Sequence, residues 1–363
     1  MLGRDSGGPG TYEEQLIRHT CAVDVDSEFH VWCSREGVDL LPNESANLHV
    51  HPWRPALRVP SVALVMPNLL KRLQIDLAHA TFVPPPFMPV DYVFTVHDLS
   101  PLLRPEFYDP RVRRKLRFLI RRGIERAKVV LCISETTREH VIQEFKVSED
   151  RLAVAYHGVN PRFSPGSTER ARQSVRDAFG IDGRYMLFLG KIEARKNVAR
   201  LLEAFAEFRH SGDEDIKLVL AGRRHWGVND IDELIEKLKL GESVIETGFV
   251  ADDMVPELYR AAEFMVFPSL WEGFGLPLLE AMACGTPVIT SNVSCLPEIA
   301  GAAATQVDPL DTEAIADAMG KVSSDDVLRN SLRERGFSRA REFTWENTAA
   351  ATLAVYRRAL NNN

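Results

Sequence analysis

Residues 265–292 read MVFPSLWEGFGLPLLEAMACGTPVITSN. The pattern is strand, glycine-bearing loop, helix, tight turn, strand. Glu272 and Glu280 flank the loop-to-helix junction with seven residues between them. Gly273, Phe274 and Gly275 open the helix. Pro277 falls in its first turn, where a missing N–H costs little. Exposed amides and the positive end of the helix dipole point the same way there, which makes an anion site. The same glycines also suit an ordinary βαβ unit that packs tightly.

Working outward, 363 residues exceed one small core and fit two domains. An apolar share of 45% and a charged share of 26% belong to a soluble globular chain. The net charge of −7 argues against a general nucleic-acid binder. Cys21, Cys33, Cys132, Cys284 and Cys295 form no C-x-x-C pair, so reduced, buried thiols in a cytoplasmic protein are expected. No apolar run reaches the ~20 residues that span a bilayer. Residues 1–20 lack the apolar core of a signal peptide.

From its start, the chain shows a glycine-rich turn (Gly7, Gly8, Gly10) and then a helix from about Thr11. Such a turn usually follows a strand in a nucleotide-binding unit, and Met1 and Leu2 are too short for one. Strands are predicted over 29–33, 48–53, 77–82, 91–96, 129–134 and 152–156. Helices are predicted over 62–73, 106–127 and 135–146, and Pro84, Pro85 and Pro86 stiffen a surface loop. Proline, glycine and serine gather over 159–183 and read as an interdomain linker holding a short helix. A second alternating series follows, with strands over 185–189, 217–221, 244–247 and 303–307 besides those of the opening stretch. Its helices run over 198–208, 230–239, 255–262, 312–321 and 325–342, with a last helix over 345–360. Strands alternating with helices imply parallel sheets covered on both faces. Two Rossmann-like halves result, with a ligand expected at the carboxyl ends of their strands.

Gly190, Gly222, Gly248 and His97 fall at such strand ends. Arg195 and Lys196 sit at the start of a helix, where cations are unfavourable, so a bound anion would remove the conflict. Lys191 is a nearby cation. A solvated surface pair is the plainer alternative. His97-Asp98 reads either as a ligand contact or as a hydrogen-bonded turn. Asp24-Val25-Asp26 has a metal-binding form but lies in a polar connector and reads as solvated loop. No His/Cys cluster has metal-ligand spacing. Phosphate-loop and nucleophile-elbow motifs are absent. Over 111–128, nine cations stand against Glu125 alone. That helix reads either as a surface for anionic lipid or as a solvated helix packed on its own sheet.

The chain resembles the retaining glycosyltransferases of family four. SGGPGTY at 6–12, TVHDLSPL at 95–102, ISETTRE at 133–139, HGVNPRF at 157–163 and FLGKIEARKN at 188–197 carry the resemblance. The most specific motif is PSLWEGFGLPLLEAMACGTPVITSNVSCLPEIAG at 268–301, with its E-x7-E arrangement. The bacterial mannosyltransferase-like group of surface-polysaccharide assembly looks most similar. The resemblance implies an α/β, GT-B fold: two Rossmann-like domains facing each other across a cleft, the N-terminal one lacking its first β-strand. It implies an acceptor-side domain over 1–160, a linker over 161–183 and a nucleotide-sugar domain over 184–344. The helix over 345–360 would pack back on the first.

By the same resemblance Glu280 would bind the ribose and Glu272 would face the donor sugar. The amides of Gly273, Phe274, Gly275 and Leu276 would hold sugar hydroxyls or phosphate. Arg195 and Lys196 would neutralise the diphosphate, and His97 would contact the sugar's hydroxyls. Gly8 and Gly10 would let the first loop approach the phosphates; Gly190, Lys191, Gly222 and Gly248 complete the expected donor contacts. Glu272, His97, Lys196 and Arg195 are thus the expected catalytic set. Two cations and a helix N-terminus can stabilise a departing diphosphate without a divalent ion, so no metal and no cofactor is predicted. The expected reaction moves a hexose, mannose first, from a nucleotide-diphosphate sugar to a glycan or lipid-linked acceptor. The expected place is the cytoplasm, peripheral at the inner face of the membrane through 111–128. A non-catalytic or truncated sugar-nucleotide or glycan-binding module is the alternative, and a phosphorylase or epimerase on the same fold is a third reading.

Overall fold

The computed structural model describes residues 7–42, 45–52, 58–81, 84, 87–210, 215–224 and 231–361. Trp53, Phe82, Pro85, Pro86 and Asp230 of the predicted segments lie outside them. The chain divides into two compact units, 1–158 with 343–363 and 159–342.

The second unit is built on six parallel strands: β7 (Tyr185–Leu189), β8 (Lys217–Ala221), β9 (Val244–Gly248), β10 (Phe264–Phe267), β11 (Val288–Ser291) and β12 (Ala304–Val307). Their spatial order is β12-β11-β10-β7-β8-β9. This is the doubly wound arrangement, in which the chain direction across the sheet reverses between its first and fourth strands. Loops leaving β7 and β10 therefore diverge from one point. Phe264, Met265, Val266 and Phe267 are all buried, as a strand covered by helices on both faces requires. Gly222 has a left-handed φ of +145°, and a Cβ there would stand 2.0 Å from the Gly190 carbonyl oxygen. Only glycine lets the ends of β7 and β8 approach so closely.

The first unit holds β1 (Phe29–Cys33), β2 (Leu48–Pro52), β3 (Ala78–Ala80), β4 (Tyr92–Val96), β5 (Val129–Cys132) and β6 (Leu152–Val154). These do not form one sheet. β1 and β2 pair only with each other, while β3 to β6 make a four-stranded parallel sheet in chain order. Among the described residues no strand precedes the helix Gly7–Val23. No described strand therefore links β1 to the larger sheet. The C-terminal helix Trp345–Asn361 lays Val355 and Ala359 on Val93, Val129 and Leu131 of that sheet.

Several helix boundaries differ from the sequence reading; the helix predicted over 62–73, for one, runs Arg58–Arg72. The first helix starts at Gly7, not Thr11, so Gly8 and Gly10 lie within it and not in a turn before it. Pro9 in its first turn removes no needed donor. The segment 106–127 is not one helix. A short helix Ser100–Leu103 and a tight turn Pro105–Phe107 come first, then the helix Pro110–Arg126. Asp109 caps the latter by accepting from the amides of Arg111 (2.8 Å) and Val112 (3.3 Å), with Pro110 at its first position.

Candidate active site

The two loops at the switch point of the second unit are pinned by Asn197. Its backbone is left-handed (φ +62°), which asparagine tolerates better than most residues. Its amide donates to the carbonyls of Pro268 (3.1 Å) and Pro309 (2.7 Å). Leu270 N–H donates to the Arg195 carbonyl at 2.9 Å. The loop after β7 and the loop after β10 are thereby one rigid body, and they bring together residues 76 positions apart.

Glu272 is at the centre. Lys196 Nζ donates to its Oε1 at 2.5 Å and Arg195 Nη1 to its Oε2 at 3.1 Å. Ser269 Oγ donates to Oε1 at 2.7 Å. Arg195 is fixed further by Glu193 Oε1 (2.7 Å) and the Trp271 carbonyl (3.0 Å). Ser294 Oγ donates to the Glu272 carbonyl at 2.6 Å and Cys295 Sγ to the same atom at 3.2 Å. Glu272 and Lys196 are each 8% exposed, so both charges are taken out of water. Burial pushes the Glu272 carboxyl up, but Arg195 and Lys196 outweigh it and hold the group below the ordinary glutamate range. Burial also lowers the Lys196 ammonium against the pull of Glu272. Lys196 Nζ also lies 4.6 Å from the centre of the Phe267 ring. The predicted conflict of cations at a helix start is thus relieved within the protein: Arg195 and Lys196 end a tight turn, and the helix Val198–His210 starts beyond them.

The helix Leu276–Cys284 starts on Gly275, which has φ +97° and no side-chain cap. A Cβ at Gly275 would stand 2.9 Å from Leu296 Cδ2. One turn on, Glu280 is half-buried and accepts from Tyr259 Oη at 3.2 Å. Burial pushes its carboxyl up to about 7, against the opposing effects of Arg162 and the Tyr259 hydroxyl. The two glutamates are therefore opposite in kind. Glu272 is a fixed anion, whereas Glu280 changes charge near neutrality. Gly190 (φ +151°) and Gly222 serve the close approach of β7 and β8, Gly248 ends the edge strand β9, and Lys191 is exposed. Phe274 is buried.

His97, Gly8 and Gly10 belong to the first unit. His97 Nε2 lies 2.7 Å from the Thr81 carbonyl, and burial lowers its pKa, so the ring is neutral near pH 7. Tyr12, fully buried, meets His97 edge-on at 5.1 Å and stacks on His157 at 4.8 Å, which stacks in turn on Trp345 at 5.7 Å. Tyr12 Oη lies 3.1 Å from Thr95 Oγ1. Gly158 follows this stack, and a Cβ there would meet Trp345 N at 2.2 Å. Gly8 is exposed with open space around it, and Gly10 is buried. Sequence reasoning gave no role to Tyr12, His157, Asn197, Ser269 or Tyr259. The first four stood inside quoted motifs, which was the available signal; nothing in the chain order singled out Tyr259.

Residues 171–339 match the model of glycosyl transferases group 1, and residues 6–163 match that of glycosyltransferase family 4. An O-antigen chain mannosyltransferase B of Escherichia coli is 32% identical over 265 residues, 73% of this chain and 70% of that protein. The chain belongs to the group 1 and family 4 glycosyltransferases. A serotype-specific mannosyltransferase WbdA of the same organism is 31% identical over 320 residues, 85% of this chain, but the match spans only 39% of WbdA. Among solved structures, a sucrose-phosphate synthase from Thermosynechococcus elongatus aligns over 100% of this chain and 96% of its own, with TM-score 0.79 and 20% identity. The glycosyltransferase WaaG aligns over 97% of this chain and 96% of its own, with TM-score 0.73 and 20% identity. These likenesses give the fold as GT-B, with two Rossmann-like units.

In this glycosyltransferase the buried ion pair has a stability consequence with a definite sign. Glu272→Gln leaves Lys196 and Arg195 facing a neutral amide, which should cost about 3–5 kcal/mol at pH 7. The Glu272 carboxyl lies below the ordinary value of 4.5, so its contribution is complete above that value and disappears as pH falls through the folded-state value. Urea unfolding of wild type and Glu272→Gln at about pH 7 and about pH 3.5 should show the gap narrowing in acid. An equal gap at both would contradict the ion pair.

Proposed function

We propose that this glycosyltransferase moves a hexose, with retention, from a nucleotide-diphosphate sugar to a glycan or lipid-linked acceptor. The observation that carries the reading is the pair of cations, Arg195 and Lys196, held by Glu272 three residues before Gly275, where no side chain caps the helix start. Breaking the sugar–phosphate bond leaves the electron pair on the diphosphate, and preorganised cations and amides stabilise that charge without reorganising. The acceptor oxygen then bonds to the anomeric carbon on the face the diphosphate leaves. Its proton passes to the departing phosphate oxygen. Arg195, Lys196 and the amides of Gly273 to Leu276 receive the diphosphate. Glu272 holds the two cations and borders the sugar, and Glu280 accepts from the ribose hydroxyls. Gly190, Gly222 and Gly248 keep their assignment as backbone approach points to the donor, whereas Gly8 and Gly10 lie in a helix and not in the loop the sequence reading gave them; no divalent ion is needed for the step. Mannosyltransferases among the relatives favour mannose, with GDP-mannose as first donor and a UDP-hexose as second. The O-antigen chain relative supports surface-polysaccharide assembly as the setting, which we place at the cytoplasmic side.

Transfer should be tested with a panel of sugar nucleotides in excess EDTA. GDP-mannose should give a product of unchanged anomeric configuration, and Lys196→Ala should lower the rate about 100-fold or more. Inversion, a strict demand for a divalent ion, or a loss of only a few-fold would contradict the scheme. Donor binding in calorimetry without transfer or hydrolysis would instead support a binding module.

We further infer that anionic lipid is a partner of the helix Pro110–Arg126. No described helix is long and apolar enough to cross a membrane. The helix packs inward through Ile120 and Ile124 and exposes Arg114, Arg117 and Arg121 beside Phe118, which is 62% exposed. Cations around an exposed apolar ring suit an anionic interface. Vesicles containing phosphatidylglycerol should co-sediment the protein at low salt, and the Arg114→Glu/Arg117→Glu/Arg121→Glu variant should stay in solution. Equal sedimentation of both would exclude this helix as the anchor.

A further inference from the structure

The small sheet of the first unit carries a group that the transfer reaction does not use. β1 and β2 run parallel with His30 opposite His49 and Trp32 opposite His51. Alternation along each strand sends Val31, Cys33, Leu48 and Val50 into a small apolar cluster with Ile17, Val38 and Leu41. The other face collects Glu28, His30, Trp32, His49 and His51. Each strand brings an i,i+2 pair to this face, Glu28 with His30 and His49 with His51, and the parallel register sets the two pairs side by side.

Its geometry is specific. Glu28 Oε2 stands 3.9 Å from Nε2 of His30 and 3.9 Å from Nε2 of His49. One ligand atom from each residue lies within 4.8 Å of the others. His30 Nδ1 is 3.0 Å from His51 Nε2. Two ring nitrogens this close need one proton between them. With Nδ1–H of His30 donating to His51, the Nε2 lone pair of His30 is left on the side where Glu28 and His49 stand. An outer hydrogen bond that fixes the tautomer is the usual companion of a metal-ligating histidine.

We propose that Glu28, His30 and His49 bind a borderline divalent transition metal, Zn²⁺ first, with His51 orienting His30 from outside. Two imidazoles, one carboxylate and a water make a common zinc ligand set. Tetrahedral bonds of about 2.0–2.1 Å put ligand atoms about 3.3 Å apart, so the two Glu28–histidine separations must close by about 0.6 Å and the two imidazoles, now within 4.8 Å, must also draw together. The side chains able to move are exposed, Glu28 by 75% and His49 by 44%. His49 now stacks on His30 with centres 4.7 Å apart and must turn, because a metal lies in the plane of each ring it ligates. The bound ion would staple β1 to β2. A two-stranded sheet separate from its neighbours gains most from such a staple.

The test uses the full chain, stripped with chelator and desalted. Calorimetry with ZnCl₂ should show one equivalent bound with Kd at or below about 10 µM, and zinc should raise the melting temperature. Co²⁺ should give the visible bands of a four-coordinate N/O site without the near-ultraviolet thiolate band that the buried cysteines would produce. His49→Ala and Glu28→Gln should each weaken zinc at least about tenfold. Both residues are exposed, so these variants should keep the wild-type circular dichroism. His51→Gln, which retains an acceptor, should bind more tightly than His51→Ala. No stoichiometric binding, a thiolate band, or affinity unchanged in His49→Ala/Glu28→Gln would overturn the site.

Discussion

One buried carboxylate organises the second unit. Glu272 takes donors from Lys196 and Arg195 on one loop and from Ser269 on its own. Two cations of this kind would repel each other and resist burial if left alone. With Glu272 between them they stay charged and fixed. Stabilisation of a departing diphosphate needs donors already in position, because reorganising them during the reaction consumes the gain. Under the proposed function the same ion pair would serve both folding and chemistry, and Asn197 ties its two loops together.

Topology decides why those loops meet. The order β12-β11-β10-β7-β8-β9 sets β7 and β10 side by side although β8 and β9 intervene in the chain. The glycine ends of β7 and β8 touch, which leaves the loop after β7 free to turn toward β10. Glu280 then rides on the helix that begins at Gly275, one turn from the amides. A carboxyl at about 7 and a carboxyl held below its ordinary range thus stand on one short stretch, separated by environment alone.

Much of this was legible before any coordinates. Strands such as Tyr185–Leu189 and Phe264–Phe267 are apolar runs closed by glycine or proline, and their alternation with helices announces a parallel sheet. The motif at 268–301 identifies the family. The pairing of Glu272 with Lys196 was not legible, since contacts between loops 76 residues apart leave no local period. Helix starts failed where glycine and proline were read as turn formers, as at Gly7, and where proline hid a break, as at Pro105 and Pro110. The division of the first unit into two sheets depends on which strand pairs with which, and composition does not encode that. The histidines of β1 and β2 were visible as alternation but meaningless without the register of His30 against His49.

The most direct test of the central ion pair is a double-mutant cycle on Lys196 and Glu272, read by urea unfolding near neutral pH. Lys196→Met and Glu272→Gln should each destabilise, because each strands a buried partner. The double variant should be more stable than the sum of the single losses implies, by at least about 1 kcal/mol. Losses that simply add would contradict the claim that Glu272 and Lys196 are held as one unit.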